Sequence, residues 1–109
     1  MSYKIQVIPN FQKEFKKLAK KYPSLKDDMG KLIKELEENP LLGIAIGKNC
    51  HKIRMAVTSK GKGKSGGARI ITLVVISSED LYLLSIYDKS DKENVSDIEL
   101  FDFISQIPN

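Results

Sequence analysis

The stretch ARIITLVVISSEDLYLLSIY, residues 68–87, decides the fold of this chain. Residues 68–76 and residues 81–87 are rich in apolar, β-branched and aromatic side chains, a composition typical of central strands in a sheet. The polar run Ser-Ser-Glu-Asp between them, residues 77–80, predicts the turn of a hairpin. We therefore expect two neighbouring antiparallel strands at the centre of the domain.

Upstream of this hairpin the sequence predicts a third strand with a basic face. Apolar residues alternate with other residues in residues 51–58, so Lys52 and Arg54 are expected to share one solvent-facing side. Residues 59–67, which connect this strand to the hairpin, are rich in Gly and Lys and predict a flexible loop. Arg69 begins the next strand, and antiparallel pairing would bring it to the same surface patch.

The loop contains Gly63-Lys64-Ser65, which looks like the end of a nucleotide-binding P-loop. That interpretation fails on two grounds. Thr58 stands where the motif requires its leading glycine, and a strand follows where the motif requires the N-terminus of a helix.

Both ends of the chain have helical patterns. Residues 3–8 alternate and predict a short first strand. Apolar residues then recur at helical spacing in residues 11–22 and again in residues 29–36, which predicts a helical hairpin broken at Pro23. Near the end of the chain, Ser96-Asp97-Ile98-Glu99 is a capping box and predicts the start of a final helix.

These elements predict one α+β domain that covers residues 1–109. Their order is β-α-α-β-β-β-α: a small antiparallel sheet with an N-terminal helical hairpin and a C-terminal helix. Consecutive strands with short connections favour antiparallel pairing, with the helices packed on one face of the sheet.

The charge distribution is strongly asymmetric. No acidic residue lies between Glu38 and Glu79, and the window between them carries +7 although the whole chain carries only +4. Its basic residues are Lys48, Lys52, Arg54, Lys60, Lys62, Lys64 and Arg69. A positive field without local carboxylates suits a polyanion, because phosphates need not compete with internal ion pairs. The alternative for the loop lysines is a solvated, solubilising loop.

Composition excludes several classes of protein. No apolar run approaches the roughly 20 residues of a membrane span, and Lys4 and Gln6 interrupt any signal-peptide pattern at the N-terminus. The single cysteine, Cys50, rules out an internal disulfide, fits a reducing cytoplasm and is expected to be a packing residue. One histidine and one cysteine are too few for a zinc site. We expect a cytoplasmic protein without a metal, a cofactor or a membrane contact.

Three segments in this order and spacing resemble the RelE/ParE toxin superfamily, and most of all its HigB/RelE-type toxins of type II toxin–antitoxin systems. They are His-Lys-Ile-Arg at residues 51–54, GKGKSGGARII at residues 61–71 and LSIYDKSDKEN at residues 84–94. The similarity is detailed from about residue 51 to residue 100 and only architectural over the helical hairpin. The resemblance implies a RelE-like fold.

The resemblance also implies an activity and partners. It implies a metal-independent endoribonuclease (an mRNA interferase) that cuts mRNA in the ribosomal decoding site, contacts ribosomal RNA and is neutralised by a cognate antitoxin. In such cleavage a base takes the proton of the RNA 2′-OH, the oxygen attacks the adjacent phosphorus, and a 2′,3′-cyclic phosphate and a 5′-OH remain. Cations stabilise the charge on the phosphorane, and an acid protonates the leaving oxygen.

The resemblance assigns roles by position. The expected catalytic residues are Lys52, Arg54, Arg69, Tyr87 and Lys89. The expected RNA-binding residues are Lys60, Lys62, Lys64, Lys92 and His51, the last also a secondary acid–base candidate. Ser90 stands where the RelE pattern has a basic residue, so the acid for the leaving group stays open. The alternative for Lys89 and Lys92 is that they form surface ion pairs with the acidic residues beside them in the sequence.

Two other functions fit the sequence. A ParE-like toxin, which inhibits DNA gyrase, shares the fold, and fold alone does not decide function. A non-catalytic RNA-binding module is the second alternative, although the basic loop lacks the interleaved aromatic residues of single-strand binders.

Overall fold

A computed structural model describes residues 2–108 and contains a five-stranded mixed sheet with three α-helices. The strand order across the sheet is β1-β5-β4-β3-β2. In chain order the elements are β1 (Lys4–Val7), α1 (Pro9–Lys21), α2 (Leu25–Glu38), β2 (Ile44–Gly47), β3 (Cys50–Met55), β4 (Ala68–Val75), β5 (Asp80–Asp88) and α3 (Asp97–Ser105). The predicted α+β class is confirmed, and the predicted elements occur in the predicted order.

The central hairpin is the pair β4 and β5, as the sequence predicts. The two strands pair antiparallel, with Arg69 opposite Tyr87 and Ile70 opposite Ile86. Almost every residue of both strands is buried, which explains the continuous apolar runs. A short 3₁₀ turn over Ile76–Ser78 connects them and ends at Glu79, whose φ of 56° places it in the left-handed region.

Two features of the sheet differ from the expectation. The structure adds β2, which meets β3 through a tight turn whose central residues, Lys48 and Asn49, have φ of 56° and 62°. Positive φ at both positions is typical of a two-residue hairpin turn. In addition, β1 pairs parallel with β5, with Lys4 opposite Asp80, so the sheet is mixed rather than wholly antiparallel.

Helix α1 completes an open edge of the sheet. The pairing of β1 ends at Val7 and Leu83, so the rest of β5 has no strand on that side. Asn10 Nδ2 donates to the Leu84 carbonyl at 3.0 Å, and Glu14 Oε1 accepts from the Ile86 N–H at 3.3 Å. These side chains provide partners for backbone groups that β1 is too short to reach.

The two faces of the sheet have different neighbours. On one face, Asp88 accepts a hydrogen bond from Tyr22 at the end of α1. On the other face, Tyr87 donates to the Glu93 carbonyl and Lys52 donates to Asn94, so the chain after β5 returns over this side. The helices are thus not packed on one face, because this returning segment leads directly into α3. The predicted capping box at the start of α3 is present, with Ser96 and Glu99 bonded reciprocally.

No described helix is long and apolar enough to cross a membrane.

Candidate active site

Three predicted site residues form a row across the sheet. Arg54 on β3 lies opposite Arg69 on β4, and Arg69 lies opposite Tyr87 on β5. Lys52 shares this face, because side chains at alternate positions of a strand point to the same side. Antiparallel pairing therefore brings side chains from three strands onto one face, which we call the basic row (Lys52, Arg54, Arg69 and Tyr87).

Arg54 is the member of the basic row that is available to a ligand. Its side chain is exposed and makes no hydrogen bond or ion pair with any residue from 2 to 108. A free guanidinium offers a planar set of donors that matches two oxygens of a phosphate. Arg54 is therefore the strongest candidate for contact with an RNA phosphate.

Arg69 is turned inward. The residue is only 2% exposed, and its guanidinium donates to the carbonyls of Lys64 and Ser65, each at 3.0 Å, and of Ala68 at 3.3 Å. These bonds fasten the end of the Gly- and Lys-rich loop to the start of β4. In this arrangement Arg69 shapes the loop and is a buried member of the basic row.

Tyr87 is a buried phenol at the end of the row. Its hydroxyl makes a long bond of 3.4 Å to the Glu93 carbonyl, and the Lys92 ammonium lies 4.9 Å from the ring centroid. Burial raises the pKa of Tyr87, and the positive charge of Arg69 opposes part of that effect. The phenol is therefore protonated at neutral pH, which makes it a proton donor rather than a base.

Lys52 and Lys92 are both held by partners. Lys52 Nζ donates to Asn94 Oδ1 at 2.6 Å, which uses one of its three donors and leaves the ammonium on the open side of the row. Lys92 forms an ion pair with Glu99 of α3 at 2.8 Å. The partner of Lys92 is therefore a residue of the following helix, and not one of the neighbouring acidic residues named by the alternative interpretation.

The loop lysines divide into two groups. Lys62 and Lys64 are exposed and make no ion pair within the described residues, so they can reach a polyanion. Lys60 is 11% exposed in its side chain and forms an ion pair with Asp88 at 2.5 Å. Its ammonium is thus committed to the interior of the protein. Lys89 is partly buried, and its backbone N–H donates to the Gly67 carbonyl at the base of the loop.

His51 and Cys50 lie away from this chemistry. His51 pairs with Thr72, and strand alternation directs it to the face opposite the basic row. Its Nδ1 is buried without a hydrogen-bond partner in the described structure. Burial raises the pKa of the Cys50 thiol to about 11, so the thiol stays protonated and acts as a packing residue.

Asp88 is the residue that sequence reasoning missed. It is 1% exposed, and besides Lys60 it accepts hydrogen bonds from Tyr22 at 2.6 Å and from the backbone and hydroxyl of Ser90. Burial alone would raise the pKa of Asp88, but these bonds outweigh it and hold the pKa below the usual range. Its partners Lys60 and Tyr22 lie 28 and 66 positions away, so no local motif could reveal them.

Within residues 2–108, no group of three His, Cys, Asp or Glu side chains is arranged to hold a metal ion.

Comparison with known proteins agrees with this architecture. Residues 10–106 match the sequence model of the family described as "RelE toxin of RelE / RelB toxin-antitoxin system". Among solved structures, a mutant of E. coli toxin RelE in the free state is similar, with a TM-score of 0.65, 16% identity and coverage of 99% of this chain and 100% of that one.

Two further structures show the same fold. The isolated E. coli RelE toxin matches with a TM-score of 0.62 and 16% identity over 97% of this chain and 100% of that one. A chain of the intact E. coli RelBE toxin–antitoxin complex matches with a TM-score of 0.61 and 18% identity over 80% of this chain and 96% of that one. At such identities the structures establish the fold, whereas the family match covers nearly the whole sequence. The chain therefore belongs to the RelE toxin family of toxin–antitoxin systems.

Proposed function

We propose that this toxin is a ribosome-dependent mRNA endoribonuclease that acts in the cytoplasm, requires no metal ion and is neutralised by a cognate antitoxin. The observation that carries the proposal is the basic row. Its exposed, unpaired Arg54 shares a face with Lys52, and Arg69 lies between Arg54 and Tyr87 in the pairing of the strands. Membership in the RelE family supports both the nuclease activity and the antitoxin partner.

The proposed chemistry uses the RNA 2′-OH as the nucleophile. Arg54 binds the scissile phosphate and stabilises the charge that develops on its oxygens, a role that preorganised cations fill well. Lys52 is assigned as the general base that takes the 2′-OH proton as the oxygen attacks the phosphorus, because it is the other basic side chain of this face that is not fully buried. Positive side chains thereby take the part that a metal ion plays in other nucleases.

Tyr87 is assigned to the leaving 5′ oxygen. The phenol carries its proton at neutral pH, as a general acid requires; burial raises its pKa, whereas the positive charge of Arg69 acts in the opposite direction and favours release of the proton. The 3.4 Å contact with the Glu93 carbonyl is weak enough to be exchanged for a contact with substrate. Arg69 supports the loop from beneath, and the exposed loop lysines, Lys62 and Lys64, hold the RNA backbone.

The test is cleavage of mRNA on purified ribosomes, mapped by primer extension. We expect Arg54→Ala to reduce cleavage by about 10²–10³-fold, the usual effect of removing one donor to a developing oxyanion. Lys34→Ala, which removes one exposed charge from α2, is the matched control and should retain activity. Coexpression with the antitoxin encoded beside the toxin should restore growth.

Two results would overturn the proposal. One is intact mRNA on ribosomes exposed to an excess of the wild-type protein. The other is inhibition of DNA gyrase supercoiling by a protein that leaves mRNA intact, since that result would assign the toxin to the ParE-like class.

A further inference from the structure

Helix α1 carries a second concentration of positive charge outside the acid-free window. It has five lysines and one acidic residue, Glu14. The lysines are Lys13, Lys16, Lys17, Lys20 and Lys21. The Glu14 carboxylate is occupied inside the fold, where it accepts from Asn10, Ser85 and Ile86. It forms no ion pair with the lysines of its own helix within the described residues, so α1 carries five positive charges against one negative charge.

Most of these lysines border a cleft of about 880 Å³ between α1 and the end of β5. Lys13, Lys17, Lys20 and Lys21 line the α1 side, Lys92 lines the opposite side, and Leu18, Ile86 and Tyr87 contribute apolar surface. The acidic groups at the cleft other than Glu14 are Asp88 and Asp91. Asp88 is already paired with Lys60 and lies 3.9 Å from Lys21.

Three lysines remain available in this cleft. Lys13, Lys17 and Lys20 are all exposed, and none of them forms an ion pair within residues 2–108. They follow one another at spacings of four and three residues, so they lie along one side of the helix about a turn apart. A row of cations along one side of a cleft fits a linear chain of phosphates better than a single anion.

The cleft and the candidate active site share one residue, Tyr87, at the open edge of β5. Tyr87 lines the cleft and also lies opposite Arg69 at the end of the basic row. An RNA strand with its scissile phosphate at Arg54 can therefore continue past Tyr87 into the cleft. Leu18, which is partly exposed, can contact a base or a sugar while the lysines neutralise phosphates.

We propose that the α1 cleft is a second RNA-binding site, which holds the sugar–phosphate backbone of the RNA strand beyond the scissile bond. This inference rests on the proposed function, because it extends the substrate path of the same site. It assigns Lys17 and Lys20 to substrate binding, with no part in bond cleavage.

The test compares two pairs of substitutions that remove equal charge. Lys17→Gln with Lys20→Gln alters the cleft, and Lys26→Gln with Lys34→Gln alters exposed positions of α2. Binding of a short single-stranded RNA with a non-cleavable 2′-O-methyl backbone is measured by fluorescence anisotropy over a series of salt concentrations. Each neutralised phosphate of a single strand contributes about −0.7 to the slope of log K against log[salt], so loss of two contacts should reduce the magnitude of the slope by about 1.4.

The control pair should leave the slope within error of wild type. Equal slopes for the two pairs, or no change for the cleft pair, would overturn the inference. Loss of affinity for the antitoxin with unchanged RNA binding would also overturn it, since the cleft would then belong to the antitoxin. Cleavage by the wild-type protein on ribosomes is scored separately. If the wild-type protein cleaves mRNA and the cleft variant has an unchanged slope, the second RNA-binding site is refuted and the proposed nuclease is not. If the wild-type protein does not cleave and the cleft variant has a slope of smaller magnitude, the nuclease is refuted and the cleft is still an RNA-binding site.

Discussion

Replacing Asp88 by Asn should strongly destabilise the protein although it preserves the shape of the side chain. In the wild-type protein this buried carboxylate receives Lys60 at 2.5 Å, Tyr22 at 2.6 Å and two bonds from Ser90 at 2.8 and 2.9 Å. An amide keeps the size and part of the hydrogen bonding. It leaves the Lys60 ammonium, which is only 11% exposed, without its counter-charge.

The magnitude follows from that unpaired charge. Breaking a buried ion pair by removing one partner costs about 3–5 kcal/mol. We expect about 3 kcal/mol, because Asn still accepts one or two of the remaining bonds. At about 4–8 °C per kcal/mol for a domain of this size, Tm should fall by roughly 12–24 °C.

The assay is thermal unfolding followed by circular dichroism, run as a double-mutant cycle with Lys60→Met. Removing both charges leaves no unpaired ion, so the double variant should be more stable than the sum of the two single effects predicts. Interaction energies between contacting residues are about 0.5–3 kcal/mol, and we expect about 1 kcal/mol or more here. Asp91→Asn, at an exposed neighbour, is the control and should stay within about 0.5 kcal/mol of wild type. A cost below about 1 kcal/mol for Asp88→Asn, or additive effects of the two substitutions, would refute the reasoning.

The remaining predictions concern the loss of stability at low pH, two glycines and the role of Tyr87. The pKa of Asp88 is lower in the folded protein than in the unfolded chain, so the carboxylate contributes to the free energy of unfolding above about pH 4 and loses this contribution as the pH falls further. In acid unfolding curves, the difference in stability between wild type and Asp88→Asn should therefore become smaller. Gly67→Ala should cost more than about 2 kcal/mol in urea unfolding, because a Cβ there would lie 2.1 Å from the Met55 carbonyl oxygen. Gly30→Ala, in the interior of α2 with no atom within 4 Å of the new Cβ, should instead gain about 0.5–1 kcal/mol. Tyr87→Phe should lower kcat on ribosomes with little change in KM, and an unchanged kcat would remove Tyr87 from the role of acid.

The local elements were predictable because their signals are local. Period-two alternation predicts that Lys52 and Arg54 share a face, and apolar runs of strand length predict that residues 68–87 form a buried hairpin. The capping box at Ser96 requires only four consecutive residues. Strand β2 was not predicted because its four residues, Ile-Ala-Ile-Gly, are too few to show a periodic pattern. The turn that follows it also depends on positive φ at Lys48 and Asn49.

Non-local contacts account for the other differences. The parallel direction of β1 depends on where the helical hairpin returns the chain, which no periodicity encodes. The inward position of Arg69 depends on the path of the loop, whose carbonyls its guanidinium binds. A sequence shows the charge of such a side chain and gives no sign of its partners.

By itself, the sequence determined the α+β class, the central hairpin and the basic character of one face, since these follow from hydrophobic period and net charge along the chain. Only the tertiary structure decided which cations are free to meet a polyanion. Arg54, Lys62 and Lys64 are open, whereas Lys60 is neutralised by Asp88 and Arg69 is buried among carbonyls. The reason is physical: a cation in a fold is available only if packing has brought no carboxylate or carbonyl to it, and those partners come from distant parts of the chain.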